Sequence, residues 1–217
     1  MDSDNLMKER NRVLQRVQVA LDALSDRIHA QNSFKVANKL MNTPEFKRVE
    51  AVGLFIGFGG EVDTFHLMEA ALKLGKRVAA PTIDVKQRIL VWREITDPEA
   101  QIDLGPLGIP EAKRTCREVS ISDFELVTIP ALAWDEQGRR LAYWPGYFER
   151  TMRLLSRAFK VGLAFDLQVV EDLSNLAPPT MLSALITEDQ VRRFGMMSPP
   201  PERRIPGGPV GYKGQTL

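Results

Sequence analysis

The chain has 217 residues, 29 Lys and Arg against 28 Asp and Glu, and a net charge of +1. That length supports one domain with a full core, and the balanced charge argues against nucleic acid or an anionic membrane as a bulk partner. Cys116 is the single cysteine, which excludes an internal disulfide and a cysteine-based zinc site.

No apolar run approaches the length of a membrane span. The opening segment, MDSDNLMKER, is polar and acidic, unlike a secretory signal. A cytoplasmic location is therefore expected, with no membrane partner and no nucleic-acid partner.

Residues 6–28 predict a helix, because Leu14, Val17, Leu21, Leu24 and Ile28 recur at spacings of three and four. Lys8, Arg12 and Arg16 sit four apart and form a basic row on one face of it. Taken alone, that row reads as a solvated face. A second helix is expected over residues 27–42, ended by Thr43-Pro44, since the residue before proline avoids the helical region. The run VEAVGLFIGF, residues 49–58, reads as a buried strand broken by Gly59-Gly60.

Glu61-Val62-Asp63-Thr64 precedes a helical segment, residues 65–74, with Gly75 as its stop. Asp63 or Thr64 can cap that helix by accepting a hydrogen bond from a free backbone N–H. A strand follows Gly75-Lys76-Arg77, and a half-buried strand is expected over residues 88–95, with Trp92 in a core or hairpin position. Residues 96–124 are rich in Pro and Gly and read as loop, including Gly108-Ile109-Pro110-Glu111.

The stretch LVTIPALAWDEQGRRLAYWPGYFER, residues 126–150, organises the rest. It reads as a buried strand over 126–133, a turn, an arginine-bearing loop and a helix start; the helix is expected over 148–158. In an open α/β sheet such a junction is where ligands bind. Strands are expected at 159–166 and 182–188. Residues 1–195 form the single expected domain. The tail, 196–217, holds Pro199-Pro200-Pro201, Pro206, Pro209 and four glycines. It cannot bury enough apolar surface to order itself, so it is expected to be an extended arm, or one that contacts another subunit or protein.

Two motifs carry a resemblance. Pro130-Ala131-Leu132-Ala133, Asp135, Gly138, Arg140-Leu141, Gly146-Tyr147 and Arg150 match in register the P-A-L-A-F-D-x-x-G-x-R-L-G-x-G-x-G-Y-Y-D-R signature of the 5-formyltetrahydrofolate cyclo-ligase (methenyltetrahydrofolate synthetase) family. Glu61-Val62-Asp63-Thr64 matches its E-V-D-T, and Lys8-x-x-Asn11-Arg12 resembles its N-terminal K-x-x-L-R. The resemblance runs over residues 8–188. It implies an α/β fold of three layers, a mostly parallel sheet flanked by helices.

It also implies a reaction. ATP activates the formyl oxygen of 5-formyltetrahydrofolate as a phosphate, the neighbouring amine attacks, phosphate leaves, and 5,10-methenyltetrahydrofolate forms. Carried over by position, Lys8, Arg12, Arg140, Gly146 and Tyr147 would bind ATP. Arg140 and Tyr147 would be catalytic, Ile56 and Glu61 would bind the reduced folate, and Glu149 would hold Mg2+. The chain departs from the pattern at Ala142 and Trp144, which stand where the family has glycines, and at Pro145, which lacks an N–H. Pro179 and Ser183 replace two late aspartates, one of them a metal ligand in the family; Asp166, Glu171 or Asp172 are the remaining carboxylates in that part of the chain. These departures set out the alternative: a catalytically impaired or inactive member that serves as a folate- or nucleotide-binding or protein-interaction module. A different enzyme on a related fold, acting on an acyl or sugar-phosphate substrate, rests on fold analogy alone.

Overall fold

A computed structural model describes residues 3–142, 146–178 and 182–195. The expected tail, Trp144, Pro145 and Pro179 lie outside the described residues.

Three helices open the chain: α1 (Ser3–Asp22), α2 (Asp26–Asn42) and α3 (Pro44–Arg48). The first helix ends six residues short of the expected boundary. Ser25 takes an extended conformation and its side chain accepts a hydrogen bond from the N–H of Ile28, which starts α2. Val17 and Leu21 of the expected stripe are buried, and Leu24 lies between the helices rather than inside one. Thr43 does end α2 as expected, and it also starts α3: its hydroxyl accepts from Phe46 N–H, with Pro44 in the first turn.

The rest alternates strand and helix: β1 (Ala51–Gly53), α4 (Phe65–Lys73), β2 (Arg77–Asp84), β3 (Ile89–Ile95), α5 (Pro98–Gln101), β4 (Ile102–Leu104), β5 (Pro110–Ala112) and β6 (Leu126–Ile129). Then come β7 (Ala133–Asp135), β8 (Arg140–Leu141), α6 (Tyr147–Leu154), β9 (Phe159–Leu163), β10 (Val169–Val170), β11 (Ala184–Ile186) and β12 (Val191–Arg193). The expected strand at 49–58 keeps its pairing over three residues only; beyond Gly53 the backbone leaves the ladder to line a cleft.

The main sheet has seven strands in the order β12-β11-β9-β6-β1-β2-β3. The five central strands are parallel; β3 and β12 run antiparallel at the two edges. Parallel strands are covered on both faces, which is why they read as continuous apolar runs. Alternate residues supply two cores. Val52, Val78, Ala80, Leu126 and Val161 face α1, α2 and α4, among Leu40, Phe46, Leu67 and Met68. Ala51, Ala79, Val127 and Ile129 face the other way, among Trp92, Ile121, Phe124 and Leu155, below α6. The result is the three-layer α/β arrangement with a mostly parallel sheet. Trp92 is a core residue, as its strand pattern indicated.

From β1 the chain crosses outward to β2; from β6 it crosses the opposite way to β9. The sheet therefore reverses its winding between β1 and β6. Loops leaving the carboxyl ends of those two strands diverge there and leave a crevice. Among the described residues no helix is long and apolar enough to cross a membrane.

Candidate functional site

The crevice is a cleft with an empty volume of about 740 Å³, counting the part open to solvent. Phe55, Ile56, Phe58 and Glu61 come from the loop after β1, Pro81 and Ile83 from the end of β2, and Leu90 from β3. Pro130 to Leu132 follow β6; Arg140, Ala142, Tyr147 and Phe148 complete the far wall. An apolar cavity with a few convergent polar groups is the usual form of a small-molecule site.

The loop after β1 is built around Thr64. Its hydroxyl donates to Phe55 O at 2.6 Å and accepts from Gly57 N–H at 3.2 Å. Thr64 therefore ties the end of β1 to the start of α4 and does not cap the helix; Asp63 Oδ1 takes the N–H of Phe65 instead. A turn at 58–61 is closed by Glu61 N–H on Phe58 O, with Gly59 in the left-handed region at φ 59°. A β-carbon on Gly57 would lie 2.1 Å from Val62 O, so the loop folds back on itself with no room for a side chain.

Glu61 points its carboxyl toward Phe58 N–H, at 3.4 Å, within the cleft. Burial pushes its pKa up from 4.5 to about 8, against the opposing pull of the Phe58 N–H and the positive Arg140. At neutral pH this carboxyl is largely protonated, and can donate as well as accept a hydrogen bond.

Arg140 lies in β8, a strand that the sequence left as loop. The strands β10, β7 and β8 form a small separate sheet. Asp135 sets its geometry: fully buried, it accepts from Gln137 N–H, Arg139 N–H, Leu173 N–H and the Arg139 guanidinium. The aspartate of the sequence signature is thus a structural fastener. Across the ladder from Trp134, Arg140 is turned inward and is 6% exposed. Its Nη2 is 3.5 Å from Glu149 Oε1 and its guanidinium carbon is 5.6 Å from the centre of the Phe148 ring. Nε and Nη1 are buried and find no acceptor among the described residues. Burial lowers the Arg140 pKa, and Glu149, then Glu61 in its ionised form, oppose that shift. Two buried guanidinium nitrogens without partners are costly to leave unpaired and are what an incoming acceptor would satisfy.

The start of α6 joins the site through Gly146, at φ 108°, whose N–H donates to Glu149 Oε2 at 2.6 Å. That N–H is therefore engaged within the protein. A β-carbon at Gly146 would meet nothing within 4 Å, so glycine is needed there for its dihedral and not for space. Tyr147 and Phe148 line the cleft from the first turn of α6.

Of the sequence-derived candidates, the fold brings Ile56, Glu61, Arg140 and Tyr147 to the cleft, with Glu149 paired to Arg140 behind it. Lys8 and Arg12 are exposed on α1 and do not line it. Arg10, between them, reaches the far wall by donating to Ala142 O at 2.9 Å. The late carboxylates are spent elsewhere: Asp166 accepts from Thr187 and Gln190, and Asp172 accepts from Ser174. Ser183 takes the N–H of Lys160 on its hydroxyl. No group of three His, Cys, Asp or Glu side chains able to hold a metal ion occurs among the described residues.

Glu111 and Phe58 add a polar and an aromatic group to the lining. Glu111 is buried; its Oε2 accepts from Ile83 N–H at 2.9 Å and closes the cleft from the β4–β5 hairpin. Phe58, 37% exposed, stands at the mouth. The signal for Glu111 was an acidic residue flanked by apolar ones in a short loop, and for Phe58 a large aromatic before two glycines.

An open, doubly wound α/β sheet with an apolar crevice at its switch point, floored by an unsatisfied arginine, defines a small-molecule-binding α/β protein. The chain belongs to the 5-formyltetrahydrofolate cyclo-ligase family, whose sequence profile matches residues 4–176. It is 29% identical over 160 residues to the 5-formyltetrahydrofolate cyclo-ligase of Escherichia coli K12, covering 72% of this chain and 88% of that one. The solved structure of Aquifex aeolicus 5,10-methenyltetrahydrofolate synthetase superposes with a TM-score of 0.72 at 31% identity, over 85% of this chain and 92% of that one. A Mycoplasma pneumoniae 5,10-methenyltetrahydrofolate synthetase, 20% identical with a TM-score of 0.61, shares the fold over 87% of this chain and 99% of that one.

Proposed function

We propose that this chain is a 5-formyltetrahydrofolate cyclo-ligase that converts 5-formyltetrahydrofolate to 5,10-methenyltetrahydrofolate with ATP. The observation that carries the reading is Arg140: a buried guanidinium in the lining of an apolar cleft, with two nitrogens that have no acceptor among the described residues, suits a planar heterocycle bearing an oxygen that becomes negatively charged. ATP supplies, when bound, the phosphoryl group that makes the formyl oxygen a leaving group.

In this reading Ile56 and Glu61 hold the reduced folate. The apolar walls exclude water from an activated acyl carbon, and the largely protonated Glu61 presents a donor to the ring system. Arg140 and Tyr147 face the charge that develops during transfer. Arg140 and Tyr147, which line the cleft, hold the nucleotide; Lys8 and Arg12 on α1 lie outside that lining, and the Gly146 N–H is already given to Glu149. The residues around Arg140 fit an anionic ligand, since its Nε and Nη1 lack acceptors. For magnesium the resemblance offers Glu149, already shared with Arg140 and Gly146 N–H; the two carboxyls that line the cleft, Glu61 and Glu111, accept from backbone N–H groups. An ion at Glu149 would take most of its ligands from phosphate oxygens and water, as Mg2+ commonly does.

The test is calorimetric titration of magnesium and ATP, with and without 5-formyltetrahydrofolate, followed by an absorbance assay for the methenyl product. Binding of both with product formation is the expected result. Folate binding without nucleotide binding would establish instead the catalytically impaired member, and no binding of either would overturn the reading.

A further inference from the structure

The loop that carries Glu61 is held from behind by one face of α2. His29 Nε2–H donates to the carbonyl of Glu61 at 2.8 Å. One helical turn on, Ser33 Oγ accepts from Asp63 N–H at 3.0 Å. The two ties are one helical turn apart on α2, about 6 Å along its axis, and they take the carbonyl of Glu61 and the N–H of Asp63 on either side of Val62. The i, i+4 pair on α2 thus holds the loop at two points that flank Val62.

The His29 ring is itself fixed. It lies edge-on to the buried Phe165, with centroids 5.1 Å apart and planes at 76°. A carbonyl can only accept, so Nε2 carries the proton. His29 and Ser33 sit on the same stripe as the buried Val36, Ala37 and Leu40, where an ordinary amphipathic helix would place apolar side chains. Two polar residues at the head of an apolar stripe serve the loop they bond.

We propose that His29, assisted by Ser33, is a positioning residue for substrate recognition: it fixes the main chain of Glu61 so that the carboxyl is presented inside the cleft opposite Arg140. The inference rests on the reading of Glu61 as a contact to the reduced folate. His29 touches neither substrate nor nucleotide; its effect passes through the Glu61 carbonyl. The charged groups at the Glu61 carboxyl are Arg140 and, beyond it, Glu149.

Three forms test it: wild type, His29→Leu, which keeps bulk without a donor, and His29→Gln, whose amide nitrogen reaches the place of Nε2. In His29→Leu the KM for 5-formyltetrahydrofolate is expected to rise about tenfold, the effect of one lost hydrogen bond to a buried group. The dissociation constant for magnesium and ATP should stay where it is, and His29→Gln should return KM close to wild type. A ligand-free readout accompanies these. The Glu61 carboxyl, followed by carbon NMR, is expected to titrate at about 8 in wild type, well above the ordinary carboxylate range. It should move toward the ordinary carboxylate range in His29→Leu and return in His29→Gln.

An unmoved KM together with an unmoved Glu61 titration in His29→Leu overturns the proposal. Loss of thermal stability with equal damage to folate and nucleotide binding, not rescued by Gln, overturns it as well, because a purely structural role would do that. If wild type binds no reduced folate, the functional reading fails; the Glu61 titration then decides the positioning role by itself. Should His29→Leu not fold, Ser33→Ala, which removes the second tie, must shift the same titration in the same direction.

Discussion

Arg140 Nη2 stands 3.5 Å from Glu149 Oε1, an ion pair that uses one edge of a buried guanidinium and leaves its other two nitrogens buried without an acceptor among the described residues, in a side chain that lines the cleft. A group desolvated on that side gains little from folding and much from a ligand. Arg140→Ala is therefore expected to leave the melting temperature nearly unchanged while weakening magnesium–ATP binding by about ten- to a hundredfold, the loss of a charge-assisted hydrogen bond. Calorimetric titration reads the affinity; an unchanged value would remove Arg140 from the nucleotide site.

The raised pKa of Glu61 has a consequence for stability. Between pH 4.5 and about 8 the folded protein keeps this proton while the unfolded chain has released it. The folded state binds more protons there, so rising pH favours unfolding across that window. The contribution is fully present below pH 4.5 and gone above about 8. Urea unfolding from pH 4 to 9 should show wild type losing stability relative to Glu61→Gln across the window. Parallel curves would mean that the carboxyl is hydrated.

Thr64→Val keeps the shape of the side chain and removes both of its hydrogen bonds, stranding Phe55 O and Gly57 N–H beneath the cleft floor. A loss of about 2 kcal/mol is expected from leaving buried groups unpaired. Chemical denaturation measures it. Because Thr64 holds the loop of Glu61, folate affinity should fall with it; intact affinity would show the loop to be fixed by other contacts.

Asp135→Ala removes the acceptor for three backbone N–H groups and for Arg139. Breaking a buried charged network typically costs about 3–5 kcal/mol. Thermal unfolding should show the largest drop of the substitutions named here, and a drop no larger than that of Thr64→Val would argue that water replaces the carboxylate.

Deleting residues 199–217 is expected to leave the melting temperature where it was, since the segment is dominated by Pro, Gly and charged residues. A fall of several degrees would place the tail against the folded part.

How much of this was readable beforehand depended on where each signal resided. The parallel strands β1, β6, β9 and β11 were visible because burial on both faces makes them unbroken apolar runs. Thr43-Pro44 and Gly75 marked the ends of α2 and α4 through local stereochemistry. The break between α1 and α2 falls earlier than the periodicity places it, because Leu24 and Ile28 continue the apolar spacing across Ser25, and a single capping hydroxyl outweighs that spacing. The strands β7, β8 and β10 are two or three residues long, too short for any alternation to register. Thr64 read as a helix cap because its type fits one; its actual partners, Phe55 and Gly57, are set by how tightly the loop folds back. For the site, Glu61, Ile56, Arg140 and Tyr147 were legible through motifs. His29 and Ser33 were not, since their partners lie some thirty residues away and the only local sign is a polar pair at the head of an apolar stripe.

The antiparallel edge strands also bear on how the molecule behaves at high concentration. Beside β3 the open side is already occupied: Glu94 N–H bonds Arg117 O, Val119 N–H bonds Trp92 O, and Arg93 pairs with Glu118. On the opposite side β12 is three residues long, and its arginines are tied down, Arg192 to Glu136 and Arg193 to Glu45. One border is filled and the other is short and charged, so neither offers a run of free amides on which a second molecule could template itself. A sheet otherwise composed of sticky parallel strands is thereby kept from polymerising edge to edge.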